Sequence, residues 1–193
     1  MIVYPRESAA EFMCVAACLN MVLARRGLPR FPQDVIARDL GLAVPPSLAT
    51  RYPWARVSEQ EEDWGVHPQV PGTSLADFIA CHSIPLDELF YSPFEIFSRE
   101  YGEFLSQNLE HGNDILVGYD YAAVFTAGRH RGHVSIIAGV DARTEFVSLI
   151  DPESPTEYVG VSLRDLITGI NVQRDGFWVI GSATTIQWCR EHF

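Results

Sequence analysis

Cys14, His133 and Asp151 are the residues of this sequence whose types and surroundings could do chemistry together. A cysteine thiolate is a strong nucleophile, and a helix N-terminus or a neighbouring histidine promotes its formation. A histidine can accept the thiol proton, and a carboxylate can hold the histidine ring in the reactive tautomer. The three residue types together predict attack of a thiol on an acyl carbon, with a thioester as the intermediate.

The local patterns place each residue at the end of a predicted element. Cys14 lies near the start of the apolar run FMCVAACLNMVL, residues 12–23, which predicts a buried helix. Cys18 lies one turn deeper in that helix, where a thiol serves as core. His133 opens the strand-like stretch GHVSIIAGV, and Asp151 ends the next one, SLIDP.

Each residue also has a simpler structural explanation. A free cysteine behaves mostly as a small hydrophobic residue, so Cys14 fits plain helix packing as well. His133 alone fits an ordinary strand-end histidine, and Asp151 alone fits a turn. The occurrence of all three in one chain favours a Cys-His-Asp site. His130 and His133 provide only two ligands on one extended segment, so no metal site and no cofactor are predicted.

Three motifs resemble the bacteriocin-processing, papain-like cysteine peptidases, which remove double-glycine leader peptides. The nucleophile helix of that family has the form Cys-Gly-x-x-Cys/Ala-Leu-x-Met, and CVAACLNM resembles it through Cys14, Cys18, Leu19 and Met21. HVSIIAGV resembles the strand that carries the general base, and LIDP resembles the strand end that carries the orienting residue. The resemblance implies a papain-like fold with Cys14 as nucleophile, His133 as base and Asp151 as orienting residue.

Departures from the family pattern surround the cysteine. Val15 stands where the family has glycine, and Met13 stands where it has an acidic residue. Ser8 stands where the family's oxyanion-hole glutamine is expected, six residues before Cys14, and it is the candidate oxyanion residue here. A donor from another loop is the alternative. Loss of one oxyanion donor typically lowers the rate about 100- to 1000-fold.

Three functions follow from these patterns. The first is a cysteine peptidase-like hydrolase that cleaves a peptide or amide bond. The second is an acyl- or peptidyl-transferase of a biosynthetic pathway that uses the same triad and passes the acyl group to an amine. The third is a catalytically degenerate domain that binds a peptide. The predicted partner is accordingly a peptide or a small amide or thioester substrate.

The element pattern predicts a single α+β domain over residues 1–193, with N-terminal helices packed on a mostly antiparallel sheet. The helical part covers about 1–112 and the sheet part about 113–193. Residues 43–73 are predicted to form a long surface excursion, whose Tyr52, Trp54 and Trp64 line a substrate groove or cover the core. Helices are predicted at 11–26, 32–40, 74–81, 92–109 and 162–170, and strands at 114–125, 133–140, 145–150 and 176–180.

Composition excludes several other classes of protein. The formal net charge of −11 disfavours nucleic-acid binding. All 14 basic residues are arginine, so Schiff-base and P-loop lysine chemistry are excluded. The apolar runs are too short for a membrane span, and no signal peptide is recognisable, which predicts a cytoplasmic protein with free thiols.

Overall fold

A computed structural model describes residues 1–96, 101–126, 128–141 and 143–193. The described chain divides into two compact units, residues 4–84 and residues 1–3 with 85–193. Each unit is considered by itself, and the expectation of one domain stays a prediction. No helix among the described residues could cross a bilayer, since the longest, α1, has 12 residues and about 20 are needed.

The unit of residues 4–84 is built on three helices, α1 (Cys14–Arg25), α2 (Gln33–Asp39) and α3 (Leu75–Cys81). α1 is apolar on nearly all sides and is buried from Val15 to Leu23, as its sequence predicts. The helix ends at Arg25. Gly27, two residues later, has a φ of +68°, which turns the chain so that the N–H of Leu28 bonds the carbonyl of Leu23. The predicted helices at 11–26, 32–40 and 74–81 are therefore present with slightly shorter bounds.

The stretch between α2 and α3 is more regular than the predicted surface excursion. It contains the short parallel strands β1 (Ala43–Val44) and β2 (Arg56–Val57) and two turns of 3-10 helix, Pro46–Leu48 and Glu61–Asp63. An isolated antiparallel bridge joins Ala43 to Gly65. Hydrogen bonds between backbone segments that are distant in the sequence produce this regular structure. Such pairing cannot be predicted from the pattern of a single sequence.

The elements of the unit formed by residues 1–3 and 85–193 are β3 (Asp87–Tyr91), α4 (Tyr101–Glu110), β4 (Asp114–Asp120), α5 (Tyr121–Phe125), β5 (Gly132–Asp141), β6 (Phe146–Ile150), β7 (Val159–Ser162), α6 (Leu163–Gln173), β8 (Phe177–Gly181) and α7 (Ala183–His192). The strands form a six-stranded, wholly antiparallel sheet in the order β3-β8-β4-β5-β6-β7. Helices α4, α6 and α7 bury one face of the sheet around Phe104, Phe177 and Ile137. The α+β class with an antiparallel sheet is thus confirmed.

Several elements of this unit correct the sequence expectations. β3, β7 and α7 were not predicted, and the strand predicted at 114–125 ends at Asp120. There the Asp120 side chain accepts the N–H of Ala123 at 2.7 Å and starts α5 instead. The helix predicted at 92–109 is helical from Tyr101, and its residues 97–100 lie outside the described residues.

Glu88 places a carboxyl group within edge strand β3, opposite Ile180 of β8. Burial raises the pKa of Glu88 to about 7, and within the described residues its Oε1 has no hydrogen-bond partner. The folded protein therefore binds a proton here more tightly than the unfolded chain does. The contribution of Glu88 to the free energy of unfolding is therefore fully present below about pH 4.5 and is lost as the pH rises through about 7.

We expect Glu88→Gln to remove most of this pH dependence. In the wild-type protein the free energy of unfolding should fall by roughly 2–3 kcal/mol through this group between pH 4.5 and 8. Urea unfolding at pH 5 and pH 8 measures the fall in both proteins, with Glu110→Gln on the exposed end of α4 as the control. A residual fall in the variant belongs to Asp175, because burial raises its pKa to about 7 as well. An equal fall in Glu88→Gln and wild type would contradict the assignment.

Candidate active site

His133 and Asp151 form a buried pair on neighbouring strands of the sheet, hereafter the inner pair. His133 lies at the start of β5, and Asp151 follows directly after β6. The ring Nε2 lies 2.8 Å from Asp151 Oδ1, and the two side chains are 0% and 2% exposed. The structure therefore brings together two of the site residues that the sequence predicts.

The turn after β6 holds the Asp151 carboxylate in place. Pro152 cannot continue the strand ladder, so the chain turns there. Asp151 Oδ1 also accepts the N–H of Glu153 at 2.9 Å, and the Asp151 carbonyl accepts the N–H of Ser154. Burial alone would raise the pKa of Asp151, but the hydrogen bond and charge of His133, with smaller contributions from Glu153 N–H and Arg131, hold it below its ordinary value. Asp151 is accordingly a carboxylate that accepts the ring N–H.

Two tyrosines enclose the His133 ring. Tyr119 of β4 lies opposite His133 in the strand register and meets it edge to face, with ring centroids 5.6 Å apart. Tyr121 of α5 makes a similar contact at 5.3 Å. Tyr119 also hydrogen-bonds Ser135 Oγ at 2.8 Å, which fixes its own ring. These contacts restrict the His133 ring to the orientation that Asp151 selects.

Arg131 and Glu153 form a second ion pair beside the first, hereafter the outer pair. The guanidinium binds both carboxylate oxygens, at 3.0 and 2.6 Å, and lies 4.7 Å over the Tyr121 ring. Glu153 Oε1 lies 3.7 Å from Nδ1 of His133. Burial would raise the pKa of Glu153, but Arg131 and the charge of His133 lower it. Sequence reasoning missed this pair, because Arg131 lies just before β5 and Glu153 lies in the turn after β6, where no local pattern indicates which side chains meet.

Cys14 and Ser8 belong to the unit of residues 4–84. Cys14 is the first residue of α1 and is partly exposed, whereas Cys18 is fully buried one turn later. No side chain caps the N-terminus of α1, and its first turn contains no acidic residue. Phe12, two residues earlier, has a φ of +65°, a sparsely populated region for a bulky side chain. Among the described residues, the positive end of the helix dipole at Cys14 therefore has neither a side-chain cap nor a carboxylate in its own first turn.

Two amide side chains hold the segment that leads into α1. Gln33 donates to the Ser8 carbonyl and to Glu7, and its Oε1 accepts the N–H of Ala10. Asn20 donates to Glu7 and to the Phe31 carbonyl. Ser8 is exposed, and its role as oxyanion donor stays a prediction. The Gln33 amide is thus engaged with the backbone and Glu7 of this segment through both its oxygen and its nitrogen.

The aromatic residues of the 43–73 stretch contact the residues just before Cys14. The ring of Trp64 meets Phe12 edge to face at 6.3 Å, and Tyr52 Oη donates to the Glu11 carbonyl at 3.5 Å. Tyr52 is buried, while Trp54 and Trp64 are partly exposed. Tyr52 therefore acts as core, as one of the two sequence alternatives had it.

The two histidines of the HRGH stretch contact different carboxylates. His130 is exposed and its Nδ1 lies 2.9 Å from Asp120 Oδ1, whereas His133 is bound to Asp151. Within residues 1–96, 101–126, 128–141 and 143–193, no group of three His, Cys, Asp or Glu side chains is arranged to hold a metal ion.

Comparison with known proteins bears on the fold. No protein-family model and no curated protein matches the chain. Among solved structures it is similar to a "putative C39-like peptidase" from Bacillus anthracis, with a TM-score of 0.62 over 91% of this chain and 93% of that chain. The chain has the fold of that protein. The papain-like α+β fold is thus confirmed, and at 12% sequence identity the likeness concerns the fold alone.

We expect Asp151→Asn to weaken the inner pair and to lower the free energy of unfolding by about 2 kcal/mol at pH 7, because a charged acceptor is lost. The pKa of Asp151 is lowered from 3.8, so its stabilisation is present above about pH 4 and is lost as the pH falls through the lower folded-state value. The difference between the variant and wild type should therefore shrink below about pH 4.

Urea unfolding between pH 3 and 7 measures this difference. Asp87→Asn, at an exposed position on edge strand β3, is the matched control and should leave stability nearly unchanged. A difference that stays constant over the whole pH range would show that the Asp151 charge is not responsible.

Proposed function

We propose that this protein is a cysteine-dependent hydrolase of peptide or amide bonds, with Cys14 as nucleophile, His133 as general base and acid, and Asp151 as orienting residue. The observation that carries the proposal is the buried hydrogen bond between His133 and Asp151, which prepares a histidine for proton transfer. The peptidase-like fold and the position of Cys14 as first residue of α1 support it.

The inner pair assigns a task to each ring nitrogen of His133. Asp151 accepts a hydrogen bond from Nε2–H, so in the proposed reaction proton exchange with the nucleophile belongs to Nδ1. In the proposed reaction Nδ1 takes the Cys14 thiol proton, and the thiolate bonds to the acyl carbon. The same proton then passes to the leaving amine as the amide C–N bond breaks, which leaves a thioester on Cys14.

Hydrolysis of the thioester uses the same groups in reverse. His133 takes a proton from water, and the resulting hydroxide oxygen bonds to the acyl carbon. The C–S bond breaks, and His133 returns the proton to the Cys14 thiolate. The carboxylate of Asp151 stabilises the imidazolium that forms in each half of the reaction. This stabilisation is needed because the His133 ring is buried and its charge is not solvated by water.

The N-terminus of α1 supports both the thiolate and the oxyanion. Its first N–H groups have no side-chain cap, and its first turn has no acidic residue. Side-chain caps are present on α3, α5, α6 and α7, whereas α2 is uncapped like α1. We assign the backbone N–H of Cys14 as one oxyanion donor, with Ser8 as the candidate for the second.

The presence of Ser8 in place of the expected oxyanion glutamine affects which substrates should react fastest. An oxyanion hole with fewer strong donors lowers the rate for a stable amide more than for an activated acyl group. Thioesters and activated esters should therefore acylate Cys14 faster than peptides do. This feature favours the acyl-transferase alternative, in which an amine takes the acyl group instead of water.

We expect iodoacetamide to label Cys14 at least about 10-fold faster than Cys81 at near-neutral pH, although Cys81 is the more exposed thiol. His133→Asn should remove most of this advantage, because the thiol then has no base. Mass spectrometry of the labelled peptides measures the rates, with His111→Asn at an exposed position as the control. Equal labelling of Cys14 and Cys81 in the wild-type protein would overturn the proposal and favour the peptide-binding alternative.

Partition of the acyl-enzyme separates hydrolysis from transfer. The protein is mixed with a peptide thioester, the Cys14 acyl adduct is trapped by acid, and untrapped samples receive a primary amine. Release of free acid at a rate independent of amine concentration indicates hydrolysis. An amide product that rises with amine concentration indicates transfer, and Cys14→Ala should form neither.

A further inference from the structure

The outer pair is placed to act on the same histidine ring as the inner pair. Arg131 and Glu153 are each offset by two residues from a member of the inner pair, so the two pairs lie side by side across β5 and the turn after β6. Glu153 Oε1 lies 3.7 Å from Nδ1, while Asp151 Oδ1 lies 2.8 Å from Nε2. Both nitrogens of His133 thus have a carboxylate nearby.

The two carboxylates act on the ring in different ways. The Asp151 contact is a short charge-assisted hydrogen bond that fixes the ring. The Glu153 contact is too long for a hydrogen bond and acts through charge alone. Arg131 binds Glu153 through two parallel hydrogen bonds, and this geometry holds the Glu153 carboxylate away from Nδ1.

Tyr121 ties the two pairs together. Its ring lies under the Arg131 guanidinium at 4.7 Å and meets the His133 ring edge to face at 5.3 Å. A guanidinium stacked on an aromatic face has few alternative positions. The N–H of Glu153 also donates to Asp151 Oδ1, so the backbone of the outer pair fixes the carboxylate of the inner pair.

We propose that Arg131 and Glu153 are positioning residues that set the protonation of His133 and keep Nδ1 accessible to proton exchange. Glu153 favours the imidazolium by its charge. Arg131 opposes that charge and prevents Glu153 from closing onto Nδ1. The proton transfer through Nδ1 rests on the proposed function, whereas the effect of the outer pair on His133 does not.

Other titratable groups lie on the elements packed around the ring, and in the proposed reaction the Cys14 thiol meets Nδ1. Tyr119 faces the ring from β4 and Tyr121 from α5, and burial raises the pKa of Tyr121, so it is neutral near pH 7. Asp120, next to Tyr119 on β4, engages His130 and caps α5. Among the described contacts, Asp151, Glu153 and, through Glu153, Arg131 bring charge to the His133 ring.

Opposite shifts in two variants test the proposal. Glu153→Gln removes the negative charge near Nδ1, so the pH midpoint of His133 protonation should fall by about half a unit or more. Arg131→Met removes the opposing charge and releases Glu153, so the midpoint should rise by a similar amount. Arg131→Lys keeps the charge and should stay near the wild-type midpoint.

Nitrogen-15 NMR of the histidine rings measures these midpoints in the full chain without any substrate, with the His133 signals assigned by their loss in His133→Asn. Arg143→Met and Glu145→Gln, near the turn between β5 and β6 at the other end of these strands, are the charge-matched controls. Shifts of the same sign in Arg131→Met and Glu153→Gln, or no shift in either, would overturn the proposal. The double variant Arg131→Met with Glu153→Gln should have the same His133 midpoint as Glu153→Gln alone. This comparison tests the proposal if Arg131→Met by itself fails to fold.

Labelling of Cys14 connects the outer pair to the reaction. In Arg131→Met the released Glu153 should occupy Nδ1 and slow iodoacetamide labelling of Cys14 several-fold near pH 7, and adding Glu153→Gln should restore it. Opposite NMR shifts with an unreactive Cys14 would keep the outer-pair proposal and reject the hydrolase. A reactive Cys14 with unshifted midpoints would reject the outer pair and keep the hydrolase.

Discussion

The hydrogen bond between His133 Nε2 and Asp151 Oδ1 joins two ionisable groups that are almost completely buried. A buried carboxylate is strongly unfavourable unless it is paired and hydrogen-bonded. The sheet meets this demand by placing the end of β6 beside the start of β5 and by turning the chain at Pro152. The strand pairing and the turn thus together provide the partners that this carboxylate needs, which are the His133 ring and the N–H of Glu153.

The position of the inner pair within the sheet makes it rigid. β5 pairs with β4 at His133 itself, opposite Tyr119, and with β6 from Ile136 onward, so the strand that carries His133 is held in the interior of the sheet. Sites built on strands hold side chains more precisely than sites on loops do. Asp151 lies just beyond its strand, and two backbone hydrogen bonds in the turn replace the missing ladder.

Elements that depend on local sequence patterns were predicted correctly, whereas elements that depend on pairing with other strands were missed. α1, α2 and α3 were predictable because an apolar period and clear end signals coincide in each. β3 and β7 were not, because DELFY begins with two acids and VGVS has only four residues, and hydrogen bonds from β8 and β6 make them strands. α7 is polar overall, although its capping residue Ser182 was visible in the sequence. His133 and Asp151 were found through their flanking motifs, whereas Arg131 and Glu153 belong to no motif and became visible only through the pairing of β5 with β6.

Under the proposed function His133 has to release its proton as readily as it accepts one, and this requirement gives the outer pair its proposed role. Asp151 alone favours the imidazolium, and an unopposed carboxylate at Nδ1 would favour it further and cover the nitrogen that exchanges the proton. Arg131 limits both effects, because it neutralises Glu153 and holds it 3.7 Å from the ring. In this proposal the same four side chains orient the ring, stabilise its charge and limit that stabilisation, so a change in the outer pair would alter proton transfer at His133 without contact with a substrate.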